Sequence, residues 1–338
     1  MHREEPSVPI SGRKQPRFGR TSHRAAVLTG ARRVELQQID LPEPGPDDVR
    51  VRVLHCGVCA SNVLPWQGRP WFQYPFAPGS PGHEAVGEVE SVGYRVENVN
   101  PGDRVAYLGQ NGFAEFEVTP ANHLLLLTDG DAATNFLGEP FACAMNIFRR
   151  AEIKAGQTVA IIGVGFLGAL LVQLAVDAGA RVIAMAQRPF ALALAKQFGA
   201  ETLPFLCPGE ATRTVAEMTR DELCDVTIES TGKQLPLDLA AEITKVRGRL
   251  VIAGYHQDGI RQINMQLWNW RGFDVINAHE RDPQVYLEGM KLAFEATREG
   301  RISTKGLITH HFPLDGLNDA LQMADTRPDG FLKAVVRL

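Results

Sequence analysis

A glycine-rich turn between two apolar segments constrains the fold of this 338-residue chain more than any other feature. Residues 158–162 form an apolar run of strand length, the sequence Gly163-Val-Gly165-Phe-Leu-Gly168 follows, and residues 167–178 are apolar on nearly every face. An apolar strand, a glycine turn and a buried helix in this order indicate the start of a βαβ unit. A glycine turn that binds nothing is the alternative interpretation of the same residues.

Strand and helix patterns alternate through the rest of the middle of the chain. Further strands are predicted at 181–186, 225–229, 249–253 and 273–277, and helices at 141–151 and 190–198. Strands that alternate with helices indicate a parallel sheet with right-handed crossovers. We therefore predict an α/β fold with a doubly wound Rossmann sheet, and we assign residues 146–280 to it.

The segment before this unit, residues 24–145, has the pattern of a β-rich, partly barrel-like domain. Residues 33–37 and 48–54 are predicted strands, and turn-forming Pro and Gly residues separate such runs. Residues 1–23 are polar and basic and lack the apolar stretch of a secretory signal, so we interpret them as a disordered extension.

The last part of the chain, residues 281–338, contains a predicted amphipathic helix at 286–298 and a predicted strand at 331–336. We expect the chain to be cytoplasmic, because no apolar run approaches the roughly 20 residues that span a bilayer.

A formal net charge of -4 gives no support for a general nucleic-acid binder, so we expect neither membrane nor nucleic acid as a partner.

The glycine turn has the spacing of a dinucleotide-binding loop. Gly163 permits the tight turn, Gly165 lets the backbone approach a pyrophosphate, and Gly168 lets the helix pack close to the strand. The free N–H groups at the helix N-terminus, around Phe166 and Leu167, would then face the phosphates.

The end of the next predicted strand distinguishes the two nicotinamide cofactors. NAD-binding folds usually place a carboxylate there to hold the ribose 2′-hydroxyl, but this chain has Ala186-Gln187-Arg188. Arg188 can hold a 2′-phosphate, so we expect NADP rather than NAD, bound with the help of Gln187 and Arg188. A solvated arginine before Pro189 is the alternative for Arg188.

A second group of residues has the chemistry of a metal site. Cys59, His83 and Glu84 offer a thiolate, an imidazole and a carboxylate, which can close around Zn²⁺ and leave a position open for water or substrate. Each of them alone is more often structural than a ligand. The spacing Cys56-x-x-Cys59 leaves open a redox motif, a metal half-site or coincidence, and an odd count of five cysteines does not indicate a disulfide framework.

Several motifs together resemble one family. Residues 56–61 (CGVCAS), 82–93 (a GHExxGxVxxVG pattern), 101–105 (PGDRV) and then the glycine turn occur in the order found in the medium-chain zinc-dependent alcohol dehydrogenases. The resemblance spans roughly residues 24–338. Glu139-Pro140 is similar to the Glu-Pro pair of the sorbitol and polyol dehydrogenase branch.

The resemblance implies a role for each of these residues. Cys59 and His83 would be zinc ligands, Glu84 a ligand or an alternating near-ligand, and Glu139 a fourth ligand, directly or through water. Ser61 would be the hydroxyl of the proton relay. One catalytic zinc would act as a Lewis acid on the oxygen of a small alcohol or ketone, and a polyol, sugar or cyclitol is the expected substrate.

The resemblance also implies an architecture. A GroES-like catalytic domain would be built from both chain ends, with the Rossmann domain inserted between them, and a homodimer or homotetramer would form. The region after the first zinc motif borders the substrate pocket in the family, so residues 66–72, which include Trp66 and Arg69, are either pocket or packing.

Two departures from the family pattern stand out. Family members usually have Asp where this chain has Asn62, and that Asp orients the zinc-bound histidine. Asn can still accept a hydrogen bond, but it adds no negative charge. Residues 104–116 contain no cysteine, so the structural-zinc lobe is absent and a second zinc is not expected.

Two other functions compete with this prediction. The first is a zinc-free NADPH-dependent quinone or enoyl reductase of the same superfamily, against which the set of Cys59, His83 and Glu139 argues. The second is a dinucleotide-binding protein without catalysis, to which Asn62 gives slight support.

Overall fold

Short strands dominate the first part of the chain. The structure, a computed structural model, describes residues 20–128, 130–205 and 207–338. The elements of this part are β1 (Ser22–Gly30), β2 (Arg33–Asp40), β3 (Asp48–Gly57), α1 (Val63–Gln67), β4 (Glu84–Val92), β5 (Arg104–Tyr107), β6 (Phe116–Pro120), β7 (Leu124–Leu126) and α2 (Gly130–Ala133). Strand β1 begins inside the predicted extension 1–23, and His23 is buried, so that prediction is wrong for its last residues. Residues 1–19 lie outside the described residues.

Helices and strands alternate in the middle of the chain, as predicted. The elements are α3 (Glu139–Ala151), β8 (Thr158–Ile162), α4 (Phe166–Asp177), β9 (Arg181–Ala186), α5 (Pro189–Gln197), β10 (Glu201–Pro204), α6 (Pro208–Thr219), β11 (Cys224–Glu229), α7 (Gln234–Ile243), β12 (Thr244–Ile252), α8 (Met265–Arg271) and β13 (Asp274–Asn277). The strands pair in parallel in the order β10-β9-β8-β11-β12-β13. The order reverses direction beside β8, and ligands of such sheets bind at that point, outside the carboxyl ends of the strands.

Strand β8 shows why this sheet reads as a continuous apolar run. Val159 and Ile161 pack into the core shared with α3, α4 and α9 (Pro283–Arg298), while Ala160 and Ile162 pack into the core beneath α6 and α7. Both faces of the strand are therefore buried, as in parallel sheets that helices cover on each side.

The end of the chain returns to the first part. After α9 come β14 (His310–Pro313), α10 (Leu317–Thr326) and β15 (Ala334–Arg337). The second sheet has the order β14-β15-β3-β4-β5-β7, with β6 also paired to β3. Both chain ends thus contribute to one sheet. The domain limits 24–145, 146–280 and 281–338 stay predictions, and the first limit falls within α3.

Strand β15 begins three residues later than the predicted start at 331. The backbone N–H groups of Leu332 and Lys333 donate to the Thr309 hydroxyl instead of to a neighbouring strand.

Among the described residues, no helix combines the length and the apolar character needed to cross a membrane.

Candidate metal and cofactor site

The pairing of β3 with β4 brings the two halves of the predicted metal motif together. Gly57, the last residue of β3, lies opposite Glu84, the first residue of β4. Cys59 follows the end of one strand and His83 precedes the start of the other, so both lie at the same edge of the sheet. A Cβ atom on Gly57 would lie 2.0 Å from Glu84 Oε2, which explains a glycine in this motif.

Three of the predicted ligands form a compact cluster. One donor atom from each of Cys59, His83 and Glu84 lies within 4.8 Å of the other two. Burial alone would lower the pKa of His83, but Cys59, Glu139 and Glu84 raise it to about 10. Anionic donors concentrated around one imidazole fit a cation, and a thiolate, imidazole and carboxylate set fits zinc.

Glu84 is not free, because a buried lysine pairs with it. Lys333 Nζ lies 2.5 Å from Glu84 Oε2, and the two side chains are 6% and 1% exposed. Burial would lower the pKa of Lys333, but Glu84 and Cys59 raise it, so the lysine stays charged. Lys333 was not among the residues predicted to form the site. A lone lysine inside the apolar run 331–336 was the available signal, since lysine is rarely buried without a partner.

Glu139 is near enough to raise the pKa of His83, but it is not one of the three clustered donors. It is the first residue of α3, and it accepts a hydrogen bond from Cys143 Sγ at 3.1 Å, one turn later on the helix. Burial raises the pKa of Glu139, whereas His83 lowers it. The choice between Glu84 and Glu139 as a direct ligand stays a prediction.

The residues around His83 use different partners from those the family pattern suggests. Asn62 Oδ1 accepts from the Cys59 N–H at 2.8 Å. Instead, His83 Nδ1 lies 2.9 Å from the Pro81 carbonyl oxygen, which also accepts from Asn62 Nδ2 at 2.9 Å. Ser61 Oγ lies 3.5 Å from His83 Nε2, next to the donor cluster.

The glycine turn has the geometry that its sequence predicts. Gly163 has a φ of 100°, a left-handed conformation that favours glycine. A Cβ atom on Gly168 would lie 2.0 Å from the Gly163 carbonyl oxygen, so only glycine lets α4 pack this closely on the turn. Nothing lies within 4 Å of a Cβ placed on Gly165, which leaves open space beside the backbone there.

The start of α4 lies close to the metal cluster. Phe166 and Leu167 are its first residues, and Phe166 is buried. Lys333 Nζ lies 4.8 Å from the centre of the Phe166 ring. The lysine that pairs with Glu84 therefore also touches the predicted phosphate-binding turn.

Gln187 and Arg188 follow β9 as predicted. Gln187 is exposed, and Arg188 is the residue immediately before α5. The Arg188 guanidinium donates a hydrogen bond to the Phe331 carbonyl, so it joins the Rossmann sheet to the segment before β15. Burial lowers the pKa of Arg188, and the nearby Arg327 lowers it further.

Part of the predicted pocket loop belongs to the core. Trp66 is 1% exposed, and its indole N–H donates to Asn318 Oδ1 at 3.0 Å, which favours the packing interpretation for this residue. Arg69 lies 3.1 Å from Asp258 on the cofactor side of the molecule. Trp71 is 53% exposed.

Two family models match this chain. That of the alcohol dehydrogenase GroES-like domain matches residues 45–129, and that of the zinc-binding dehydrogenase matches residues 167–295. The sorbitol dehydrogenase of Bacillus subtilis (strain 168) is 25% identical over 348 residues, covering 93% of this chain and 96% of its own length.

Solved structures of dehydrogenases are similar to this chain over most of its length. The 2R,3R-butanediol dehydrogenase of Bacillus subtilis has a TM-score of 0.81 at 26% identity, covering 94% of this chain and 100% of that one. A zinc-binding dehydrogenase from Sinorhizobium meliloti 1021 bound to NADP has a TM-score of 0.80 at 25% identity, covering 94% of this chain and 100% of that one.

Proposed function

This chain belongs to the medium-chain zinc-dependent alcohol dehydrogenases, a family of NAD(P)-dependent oxidoreductases, and on that premise we propose that it transfers a hydride between NADP and the secondary alcohol of a polyol, sugar or cyclitol. One observation carries the proposal. The cluster of Cys59, His83 and Glu84 is joined through Lys333 to the first residue of the helix that follows the glycine turn. A metal site and a dinucleotide turn in contact are what hydride transfer from a metal-held alcohol requires.

The chain supplies positions and a proton path. Cys59 and His83 would hold the metal, with Glu84 or Glu139 as the carboxylate. Bound zinc would supply a Lewis acid for the substrate oxygen, and a bound nicotinamide would supply the hydride chemistry. The Ser61 hydroxyl lies next to His83 and would carry the substrate proton away or return it.

Two features support the finer parts of the proposal. Glu139-Pro140 and the relatives named sorbitol and butanediol dehydrogenase support a polyol substrate. The absence of a carboxylate after β9, together with Arg188, supports NADP, and the solved relative from Sinorhizobium meliloti binds NADP. We further propose one catalytic zinc per chain, and a homodimer formed along β13.

Metal analysis and a substrate panel test the proposal. We expect about one zinc per chain, since the donor set forms one catalytic-type site. We also expect NADP-dependent oxidation of polyols that exceeds the rate with NAD at equal concentration. A protein that contains no zinc and still turns over would contradict the metal chemistry, and a preference for NAD would contradict the cofactor assignment.

A Cys59→Ser variant tests the site itself. It should lose zinc and turnover but still bind the cofactor, because the glycine turn does not depend on the thiolate. Cys207→Ser is the matched control, since Cys207 is an exposed cysteine outside the site. Normal turnover in Cys59→Ser would show that the metal site has been assigned to the wrong residues.

A further inference from the structure

We infer that Asn62 is a positioning residue whose carboxamide ties the segment carrying Cys59 to the segment carrying His83. Its amide oxygen accepts from the Cys59 N–H at 2.8 Å, and its amide nitrogen donates to the Pro81 carbonyl at 2.9 Å. Cys59 lies on the turn after β3 and Pro81 on the turn before β4. One side chain therefore spans the two turns that present the metal donors.

The position requires both an acceptor and a donor on the same short side chain. Asn62 is 1% exposed, so solvent does not reach the groups that hydrogen-bond to its side chain. An aspartate has two acceptor oxygens and no donor, so one oxygen would face the Pro81 carbonyl oxygen. An alanine would leave the Cys59 N–H without this partner, and an unpaired buried donor is costly. Asparagine alone among residues of this size and shape satisfies both sides.

The same carbonyl fixes the orientation of His83. Pro81 O accepts from Asn62 Nδ2 and lies 2.9 Å from His83 Nδ1, so the proton of a neutral imidazole belongs on Nδ1. His83 Nε2 is then the free lone pair, on the side of Ser61. Asn62 holds Pro81, and Pro81 holds His83, so a neutral carbonyl does here what a carboxylate does in other metal sites.

The inference rests on the proposed zinc site, and zinc affinity is its direct readout. Asn62→Asp should weaken zinc binding about 10–100-fold, the usual cost of disturbing a group that orients a metal ligand. Competition with a chromogenic chelator measures this dissociation constant without any turnover. In protein loaded with Co²⁺, the visible absorption bands of the metal should shift, because the donors around it have moved.

Asn318→Asp is the matched control. Asn318 Oδ1 accepts from the Trp66 indole, and an aspartate keeps that acceptor, so zinc affinity and the cobalt spectrum should stay at the wild-type values. Asn62→Ala is the second variant, for the case in which Asn62→Asp does not fold. It removes both hydrogen bonds without adding charge, and it should also weaken zinc binding.

A purely structural role gives a different result. In that case the metal-free variants would melt at lower temperature, but those that fold would bind zinc with wild-type affinity and give the wild-type cobalt spectrum. That outcome would overturn the inference. The proposed function fails separately, if wild-type protein binds zinc and oxidises no alcohol.

Discussion

At the scale of single residues, the ion pair between Lys333 and Glu84 is the feature with the largest expected energetic effect. Both side chains are buried, so removal of one partner leaves an uncompensated buried charge. Such a loss typically costs about 3–5 kcal/mol. We therefore expect Lys333→Met to lower the free energy of unfolding of the metal-free protein by about that amount, measured by urea denaturation.

A surface pair gives the comparison for this variant. Lys245 pairs with Asp225, but the lysine side chain is 40% exposed. Lys245→Met should cost no more than about 1 kcal/mol, because solvent screens such pairs. Added zinc should restore part of the loss in Lys333→Met, since the cation takes over the charge of Glu84. Equal losses in the two variants would show that the buried pair has no special weight.

Arg188 is the residue on which the predicted preference for NADP over NAD depends. Arg188→Ser should weaken binding of NADPH about 10–100-fold and leave NADH binding nearly unchanged, because a charged hydrogen bond to phosphate is worth roughly 1.5–3 kcal/mol. Fluorescence titration with each reduced cofactor measures this. Arg33→Ser is the control, since Arg33 is an exposed arginine on β2. Equal loss for both cofactors would instead assign Arg188 to the contact between the two sheets.

Sequence spacing could predict which residue types form the site, but not their hydrogen-bond partners. Cys59, His83 and Glu84 belong to two short motifs, CGVC at 56–59 and GHE at 82–84, that have a recognisable pattern. The partner of His83 is a backbone carbonyl. Every residue has one, so the residue types in the sequence do not indicate which carbonyl is the partner. The pairing of Lys333 with Glu84 joins residues 249 positions apart and depends on β15 lying beside β3.

At the scale of elements, strands buried on both faces were the easiest to predict. The predicted bounds of β8, 158–162, agree with the structure, because an apolar run stops at a glycine. Strand β4 was not predicted as an element, since its glycine and glutamate residues interrupt the alternation. The α/β fold class is confirmed. The order of the strands depends on long-range pairing that local pattern does not contain.

The loop between β5 and β6, in the stretch 104–116 that contains no cysteine, is held by a buried carboxyl group. Glu117 accepts from the N–H groups of Gln110 and Asn111 at 2.8 Å each, and from the Tyr107 hydroxyl at 3.0 Å. The loop in turn bonds to Gly82, where the Gly112 N–H donates to its carbonyl at 2.8 Å. The buried carboxyl group of Glu117 thus fixes a loop that hydrogen-bonds to Gly82, the residue before His83.

Burial raises the pKa of Glu117 above its usual 4.5. A raised carboxyl pKa means that the folded state binds the proton more tightly than the unfolded state does. The resulting stabilisation is therefore complete below pH 4.5 and is lost as pH rises through the folded-state pKa. We expect the difference in unfolding free energy between wild type and Glu117→Gln to fall over this window and then to level off.

Denaturant titrations of both proteins at a series of pH values measure this difference, and the other titrating groups cancel in it. Glu35→Gln is the control, because Glu35 lies 40% exposed in a surface pair. A difference that rises with pH would mean that hydrogen bonds to the ionised form of Glu117 outweigh its burial.

At the scale of the whole molecule, three side-chain contacts tie the middle segment of the chain to the segments before and after it. Arg188 bonds to the Phe331 carbonyl, Lys333 lies over Phe166, and Arg69 pairs with Asp258. Each contact joins a residue of the middle segment to one from a chain end. The family resemblance implied this division of the chain, but the contacts themselves needed the structure.

The outer edge of the Rossmann sheet carries the last prediction. Strand β13 ends the order of that sheet among the described residues, and Val275 on it is 40% exposed, with Trp270 nearby in sequence at 85%. An unpaired edge strand with exposed apolar side chains tends to associate, and two copies related by a two-fold axis can pair such edges antiparallel. We expect a homodimer by light scattering coupled to size exclusion, and Val275→Lys should convert it to monomer, because each copy would bring a charged side chain into the proposed interface. Leu36→Lys, at a site 38% exposed on the separate sheet of β1 and β2, should leave the mass unchanged. A monomeric wild type would contradict the homodimer, and a dimer that survives Val275→Lys and not Leu36→Lys would place the interface elsewhere.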